Sequence, residues 1–396
     1  MKIFIADKLS PKTVAALEQL GAAVTVNAEI KEDALGAALA DTEVLIVRSK
    51  RVQAAAIAAA PQLSLIIRAG AGVNTIDLPE ASRRGIFVAN CPGKNTDAVA
   101  ELVLGLLIAA DRRIADAAAD LRAGRWRKKE YGKAAGLKGR TLGVIGLGAI
   151  GAAVARRALG LEMKVVAWSR RLTAARAAAL GIGCCATPAD VAETADAVTV
   201  HVAGSKDTNQ LIGAEFFGRM KTGAIFLNTS RGDVVDPAAL KAAIRDKKLR
   251  VGLDVFAGEP AGGEAEFADR ELAAMVTGTP HIGASTEQAE EAIAEEVVRI
   301  VKEYGEAGKP PNAVNLRARS TAVTNLVVRH YNRVGVLAGI LDELRNEGVN
   351  IEEMENMIFE GGETASCTLR LDDRPSATLL AKTRANPNVI QASFTG

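Results

Sequence analysis

Histidine and cysteine are both scarce in this chain of 396 residues, with 3 of the first and 4 of the second. Cys91, Cys184, Cys185 and Cys367 have neither metal-ligand spacing nor the spacing of a disulfide framework, and the adjacent Cys184 and Cys185 are poorly placed to pair. The expectation is a chain with no bound metal, in a reducing, cytoplasmic setting. Charge of one sign is also missing. The 49 basic and 47 acidic residues are interspersed and leave a formal net charge of +2, so there is no basic stripe for nucleic acid and no polyanionic tail. Long apolar runs are missing too. The longest, AVAELVLGLLIAA from Ala98, contains Glu101 and falls short of the roughly 20 residues that span a bilayer. The opening MKIFIADKLS reads at once as a strand, without the basic, apolar and cleavage regions of a signal peptide. Nucleic acid and membrane are therefore not expected partners, and small charged molecules remain.

Hydrophobic residues make up 48% of the chain, enough for a large core, and the length suggests two or three domains. Strand-like runs alternate with helical ones in two successive series. KIFIA, AVTV, VLIV, LIIRAG and IFVAN precede Ala98; GVIGLG, KVVAWS, AVTVHV, AIFLNTS, VGLDVF and MVTGTPH follow residue 140. Such alternation implies two α/β units, each built on a parallel sheet. The helix at Ala98 is apolar nearly all round, so it is expected between domains or at a contact between subunits of a homo-oligomer, a dimer or tetramer.

The second series opens with VIGLGAIG, where Gly146-x-Gly148-x-x-Gly151 follows a short apolar strand and leads through Ala149 and Ile150 into a helix. In that strand-turn-helix setting Gly146 permits the turn and Gly148 lets backbone approach a pyrophosphate. Gly151 lets helix and strand pack closely, while the free amides of the helix start face the phosphates. The cofactor is NAD or NADP. Where the next strand ends, an acidic residue would hold the adenine ribose hydroxyls, but the chain has Ser169 followed by Arg170 and Arg171. Guanidinium groups without a repelling carboxylate suit a 2′-phosphate, and the same arginines also fit a solvated helix start.

In parallel sheets ligands sit at the carboxyl ends of strands. Arg231 follows AIFLNTS, Asp254 ends VGLD, Glu259 lies in VFAGEP and His281 follows TGTP. Imidazole titrates near neutral pH, and a carboxylate such as Glu259 beside His281 would favour its protonated form. Arg231 can hold a carboxylate or polarise a carbonyl through paired hydrogen bonds.

The segments RAGAGVNTIDL from Arg68, NCPGKNTDAVAEL from Asn90, TLGVIGLGAIG from Thr141, FLNTSRGDVVD from Phe226, GLDVFAGEP from Gly252 and TPHIGAST from Thr279 together resemble the D-isomer-specific 2-hydroxyacid dehydrogenases. The resemblance covers nearly all of residues 1–315. It implies a flavodoxin-like substrate-binding domain split between residues 1–95 and 282–315, with a Rossmann-like dinucleotide domain, 96–281, inserted. It also implies that His281 exchanges the C2 hydroxyl proton, that Glu259 orients His281, and that Arg231 binds the substrate carboxylate or carbonyl. Thr229 and Asp254 match positions at the cofactor, although Asp254 equally suits a strand-ending cap. Arg48, Arg68, Gly70, Gly72 and Asn95 match substrate contacts. Arg48 and Arg68 carry the positive charge that a phosphorylated 2-hydroxy acid needs, and either also fits an ordinary sheet-edge arginine.

KPPNAVNL, from Lys309, reads as a domain junction. The residues after it give a β-α-β-β-α-β order over 320–396, expected as a ferredoxin-like α+β domain. RHYNRVGVLAGILDELRNEGVNIEEM resembles an ACT domain, an amino-acid-sensing module, which implies L-serine as effector at His330, Asn332 and Asn350. Val334, where proline is usual, and the acidic Glu352, Glu353 and Glu355 depart from that pattern, and a purely assembling module is the alternative. Three functions stay open: oxidation of a phosphorylated D-2-hydroxy acid, reduction of glyoxylate or hydroxypyruvate, and dinucleotide sensing without turnover.

Overall fold

A computed structural model describes residues 1–260, 265–317 and 320–395. Residues 261–264 of the expected dinucleotide domain and Gly396 of the expected tail domain lie outside the described residues. The chain divides into two compact units, Met1–Asn315 and Leu316–Gly396.

The first unit contains two parallel sheets. Strands β1 (Lys2–Ile5), β2 (Ala23–Val26), β3 (Val44–Val47), β4 (Leu65–Arg68) and β5 (Phe87–Asn90) pair in the order β2-β1-β3-β4-β5. That is the flavodoxin-like order. Strands β6 (Thr141–Ile145), β7 (Lys164–Trp168), β8 (Gly183–Cys184), β9 (Ala197–Val200), β10 (Ile225–Asn228), β11 (Arg250–Leu253) and β12 (Thr277–Gly278) pair as β12-β11-β10-β9-β6-β7-β8. This is the Rossmann order with one further strand, and its reversal point lies beside β6, which leads into the glycine turn. The two-residue β8 has no counterpart among the runs read from sequence, because too few residues carry its pattern.

The unbroken apolar runs follow from burial on both faces, and VLIV of β3 is buried at every position. One face of the first sheet is closed by the chain's return. Ile293, Val297, Ile300 and Val301 of the Glu287–Ala307 helix pack with Ile3, Ile5, Ile46 and Ile67. That helix starts at Thr286, whose hydroxyl accepts from the Ala289 amide, and stops at Gly308, φ +67°.

The Thr96–Arg112 helix is less uniform than its sequence suggested. Val99, Val103, Leu106, Leu107 and Ala110 pack into the core of the second sheet, while Asp97, Glu101, Gly105 and Ile108 form an exposed stripe. Glycine and a lone isoleucine on that stripe hid the amphipathic pattern. The KPPNAVNL segment likewise belongs to the first unit as far as Asn315. The Val314 amide donates to the Val88 carbonyl (2.8 Å), and the Asn315 side chain spans the Val88 amide and the Ile86 carbonyl.

The second unit has the order β13 (Thr324–Tyr331), helix Val336–Asn346, β14 (Ile351–Ile358), β15 (Thr364–Leu371), helix Ala377–Ala385 and β16 (Val389–Thr395), with an antiparallel sheet β14-β15-β13-β16. This is the ferredoxin-like β-α-β-β-α-β arrangement. Among the described residues no helix is long and apolar enough to cross a membrane.

Candidate active site

The glycine turn after β6 is shaped for a phosphate. Gly146 adopts φ +94°, and a Cβ there would run into the His201 carbonyl; a Cβ at Gly151 would collide with the Gly146 carbonyl. Both positions therefore exclude side chains. Gly148 caps the Ala149–Gly160 helix in extended conformation, with no side chain capping that end, and nothing approaches the position a Gly148 Cβ would take. The first-turn amides, those of Ala149 and Ile150 among them, are left to a ligand, and the first intrahelical bond runs from the Ala152 amide to the Gly148 carbonyl. The Thr229 hydroxyl, at the end of β10, is buried without a partner. A free amide end, a turn that admits backbone only and an orphaned hydroxyl at the strand ends fit a dinucleotide. His201 lies against the turn as a neutral group: burial pushes its pKa down to about 3, and its Nε2 pairs with the Thr199 hydroxyl at 2.9 Å. In the turn after β7, Ser169 is half-buried, while Arg170 and Arg171 are exposed and form no ion pair among the described residues.

The groups expected to move protons come together from distant parts of the chain. His281 Nδ1 lies 2.6 Å from Glu259 Oε1. The backbone of His281 is left-handed, φ +55°, and its amide donates to the carbonyls of Asp254 (2.9 Å) and Thr279 (3.0 Å). A non-glycine residue in that region is held there by its surroundings, and such positions concentrate at functional sites. What holds it is Asp254. This buried carboxylate accepts from the Thr279 hydroxyl (2.7 Å) and the amides of Ile282 (2.8 Å) and Gly283 (2.9 Å), fastening the loop on both sides of His281. Asp254 thus acts as the cap at its strand end in this structure.

Burial opposes ionisation of Glu259, but the hydrogen bond and charge of His281, the Phe256 amide and the Arg231 charge outweigh it and hold the carboxyl below its ordinary value. Arg231 reaches the site from β10. Asn228 ties that turn by accepting from the Ser230 amide (2.9 Å) and hydroxyl (2.7 Å) and donating to the Arg231 carbonyl (2.9 Å). The Arg231 guanidinium donates to the Ser230 carbonyl (2.6 Å) and lies across Gly72, where a Cβ would collide with it.

Arg68 crosses Gly70 in the same manner. Its Nε is buried without a partner. Burial, then the charges of Arg231 and Arg48, lower the Arg68 pKa, so three guanidinium groups share one region. Asn95 precedes the Thr96–Arg112 helix, half-buried, with no side-chain hydrogen bond among the described residues.

Sequence reasoning missed the residues that hold these loops. Asp7 Oδ2 accepts from the amides of Arg48 (2.7 Å), Ser49 (3.1 Å) and Lys50 (3.1 Å). Asn90 donates to the Ala71 carbonyl at 2.5 Å. Both stand at strand ends of the first sheet, so the rule that singled out Asp254 would have found them there.

In the second unit His330 is buried, its Nδ1 2.8 Å from the Tyr331 carbonyl and its Nε2 without a partner. The Asn332 side chain donates to the Gly362 carbonyl (2.9 Å), and the Asn350 amide donates to Asp372 Oδ1 (2.8 Å). Ile351 pairs with Leu371, which pairs with Thr324, whereas His330 is near the other end of β13. At about 3.3 Å per residue, Asn350 is therefore about 20 Å from His330 along the strand. One copy of the unit does not bring the three residues together; a site holding all of them needs two copies.

The fold and the glycine turn define a dinucleotide-binding α/β protein, with the His281–Glu259 pair at the strand ends of its second sheet. The chain belongs to the D-isomer-specific 2-hydroxyacid dehydrogenase family. Residues 104–283 match the family described as D-isomer specific 2-hydroxyacid dehydrogenase, NAD binding domain, in agreement with NAD or NADP as the cofactor. The chain is similar to the D-3-phosphoglycerate dehydrogenase of Mycobacterium bovis, 39% identical over 349 residues, which is 86% of this chain and 64% of that protein. It thus spans less than two thirds of that relative's length. It is also similar to the glyoxylate reductase of Thermococcus litoralis, 39% identical over 65% of this chain and 78% of that protein. A Thermus thermophilus protein of known structure superposes with TM-score 0.71 and 32% identity over 79% of this chain and all of that chain.

Proposed function

We propose that the chain oxidises D-3-phosphoglycerate to 3-phosphohydroxypyruvate with NAD or NADP, the first step toward L-serine. The carrying observation is the His281 Nδ1–Glu259 Oε1 pair at 2.6 Å, with the Arg231 charge acting on Glu259. A bound nicotinamide supplies the hydride acceptor. With Nδ1–H donated to Glu259, His281 Nε2 is left to take the C2 hydroxyl proton, and in reduction it returns that proton. Arg231 grips the substrate carboxylate or carbonyl, with the Gly70 and Gly72 backbone and Asn95 around it. Arg68 and Arg48 meet the phosphoryl group. Residues 1–95 and 282–315 serve as the substrate-binding domain and 96–281 as the dinucleotide domain. Rates with 3-phosphoglycerate, hydroxypyruvate and glyoxylate against both cofactors test the reading. Turnover of the last two alone favours a glyoxylate or hydroxypyruvate reductase, and dinucleotide binding without turnover favours a sensing protein.

The reductase reading draws on Arg170 and Arg171, which have no carboxylate partner among the described residues and suit NADPH. Ser169→Asp should therefore shift the ratio of kcat/KM toward NAD by about tenfold or more, since the carboxylate accepts from ribose hydroxyls and repels a 2′-phosphate. An unchanged ratio would mean that Ser169 does not touch the adenine ribose.

For the C-terminal unit we propose an ACT-like module that assembles a homo-oligomer and binds L-serine between two copies. Calorimetric titration of the full chain should detect serine binding that Asn332→Ala removes. No heat from serine or glycine would leave assembly as the module's only role.

A further inference from the structure

Among the described residues, one carboxylate is hydrogen-bonded to any of the guanidinium groups of Arg48, Arg68 and Arg231. It is Glu290, whose Oε1 accepts from Arg48 Nη1 at 2.9 Å. Glu290 stands in the first turn of the Glu287–Ala307 helix, 242 positions along the chain from Arg48. The two side chains are 52% and 29% exposed, so the pair is open to a competing anion and easily exchanged. The backbone from which Arg48 extends is fixed, because Asp7 accepts from its amide and the next two.

We propose that Glu290 determines substrate specificity, acting as a counter-charge that weakens binding of phosphorylated 2-hydroxy acids relative to unphosphorylated ones. The proposal rests on the reading that Arg48 and Arg68 face the substrate. Glu290 reduces the summed charge of three arginines from +3 to +2. An unphosphorylated 2-oxo acid carries a single negative charge, whereas a phosphoryl group adds about −1.5 to −2 near neutral pH. The penalty from one fixed carboxylate therefore falls two to three times more heavily on the phosphorylated substrate. It also falls on the end of the substrate that would meet Arg48, where the phosphoryl oxygens compete with Glu290 for the guanidinium donors.

Glu290→Gln separates charge from geometry, because the amide oxygen still accepts from Arg48. With 3-phosphohydroxypyruvate and hydroxypyruvate, which differ only in the phosphoryl group, the substitution should raise the ratio of their kcat/KM values roughly two- to fivefold in favour of the first. Most of the change should lie in KM for 3-phosphohydroxypyruvate, with hydroxypyruvate kinetics and dinucleotide affinity held within about twofold. Inorganic phosphate should inhibit hydroxypyruvate reduction more strongly in the variant. A ratio unchanged in Glu290→Gln overturns the proposal. An equal loss for both substrates in Glu290→Ala, found together with that unchanged ratio, would make Glu290 an orienting group for Arg48 instead. If the wild-type chain reduces neither compound, the dehydrogenase reading fails separately. The Glu290 assignment is then read from calorimetric binding of inorganic phosphate, and equal affinity in wild type and Glu290→Gln overturns it.

Discussion

His281→Ala should lower kcat by about 100- to 10,000-fold, the range over which a positioned acid–base group acts, while dinucleotide affinity stays near the wild-type value. The Nδ1 of this imidazole is taken by Glu259, so one nitrogen is left to exchange the substrate proton. His201 does not stand in for it, because it is held neutral by burial beside the glycine turn. The left-handed backbone at His281 complicates an alanine variant, which could lose turnover through a displaced loop. Asparagine tolerates that conformation. His281→Asn should therefore keep the loop and lose the reaction, and near-normal turnover in a pure, folded preparation of either variant would remove His281 from the mechanism. Glu259 adds a pH dependence. Its carboxyl is held below its ordinary value in the fold, so its contribution is present above pH ~4.5 and is lost as pH falls through the lower folded value. Glu259→Gln should abolish that acid limb.

Arg231→Lys should cost about 100-fold or more in kcat/KM, although the charge is kept. The guanidinium spends one nitrogen on the Ser230 carbonyl and lays the other across Gly72, where any side chain would block it. A lysine ammonium has neither the width to span those two places nor the planar fork that meets a carboxylate with two hydrogen bonds. Kinetics should show the loss in both kcat and KM. Full activity in Arg231→Lys would end the bidentate role and leave only a long-range charge effect.

How far each feature was legible depended on the range of the interactions that specify it. The glycine turn was legible because the left-handed backbone of Gly146, the open approach at Gly148 and the contact of Gly151 with Gly146 lie within one turn and its two flanking elements, although the His201 carbonyl against Gly146 was not. The parallel sheets were legible because strands buried on both faces must be apolar along their whole length. The two-residue β8 was too short to carry a pattern. The Thr96–Arg112 helix misled because Gly105 and Ile108 on its exposed stripe do not look polar. Strand-end position gave Arg231, Glu259 and His281 as separate candidates, but no spacing rule joins positions 259 and 281 at 2.6 Å.

The sequence by itself determined the class of fold, the phosphate-binding turn and the residue types available for proton transfer, because local backbone geometry and hydrophobic periodicity are written in neighbouring residues. Only the tertiary structure decided which of those residues act together. Asp254 closes the loop of His281, Asp7 pins the loop of Arg48, Arg231 crosses Gly72, and Glu290 reaches Arg48 from a helix far along the chain. Each of these contacts joins segments that are remote in sequence and depends on how the sheets and helices pack, so no single stretch of residues encodes it.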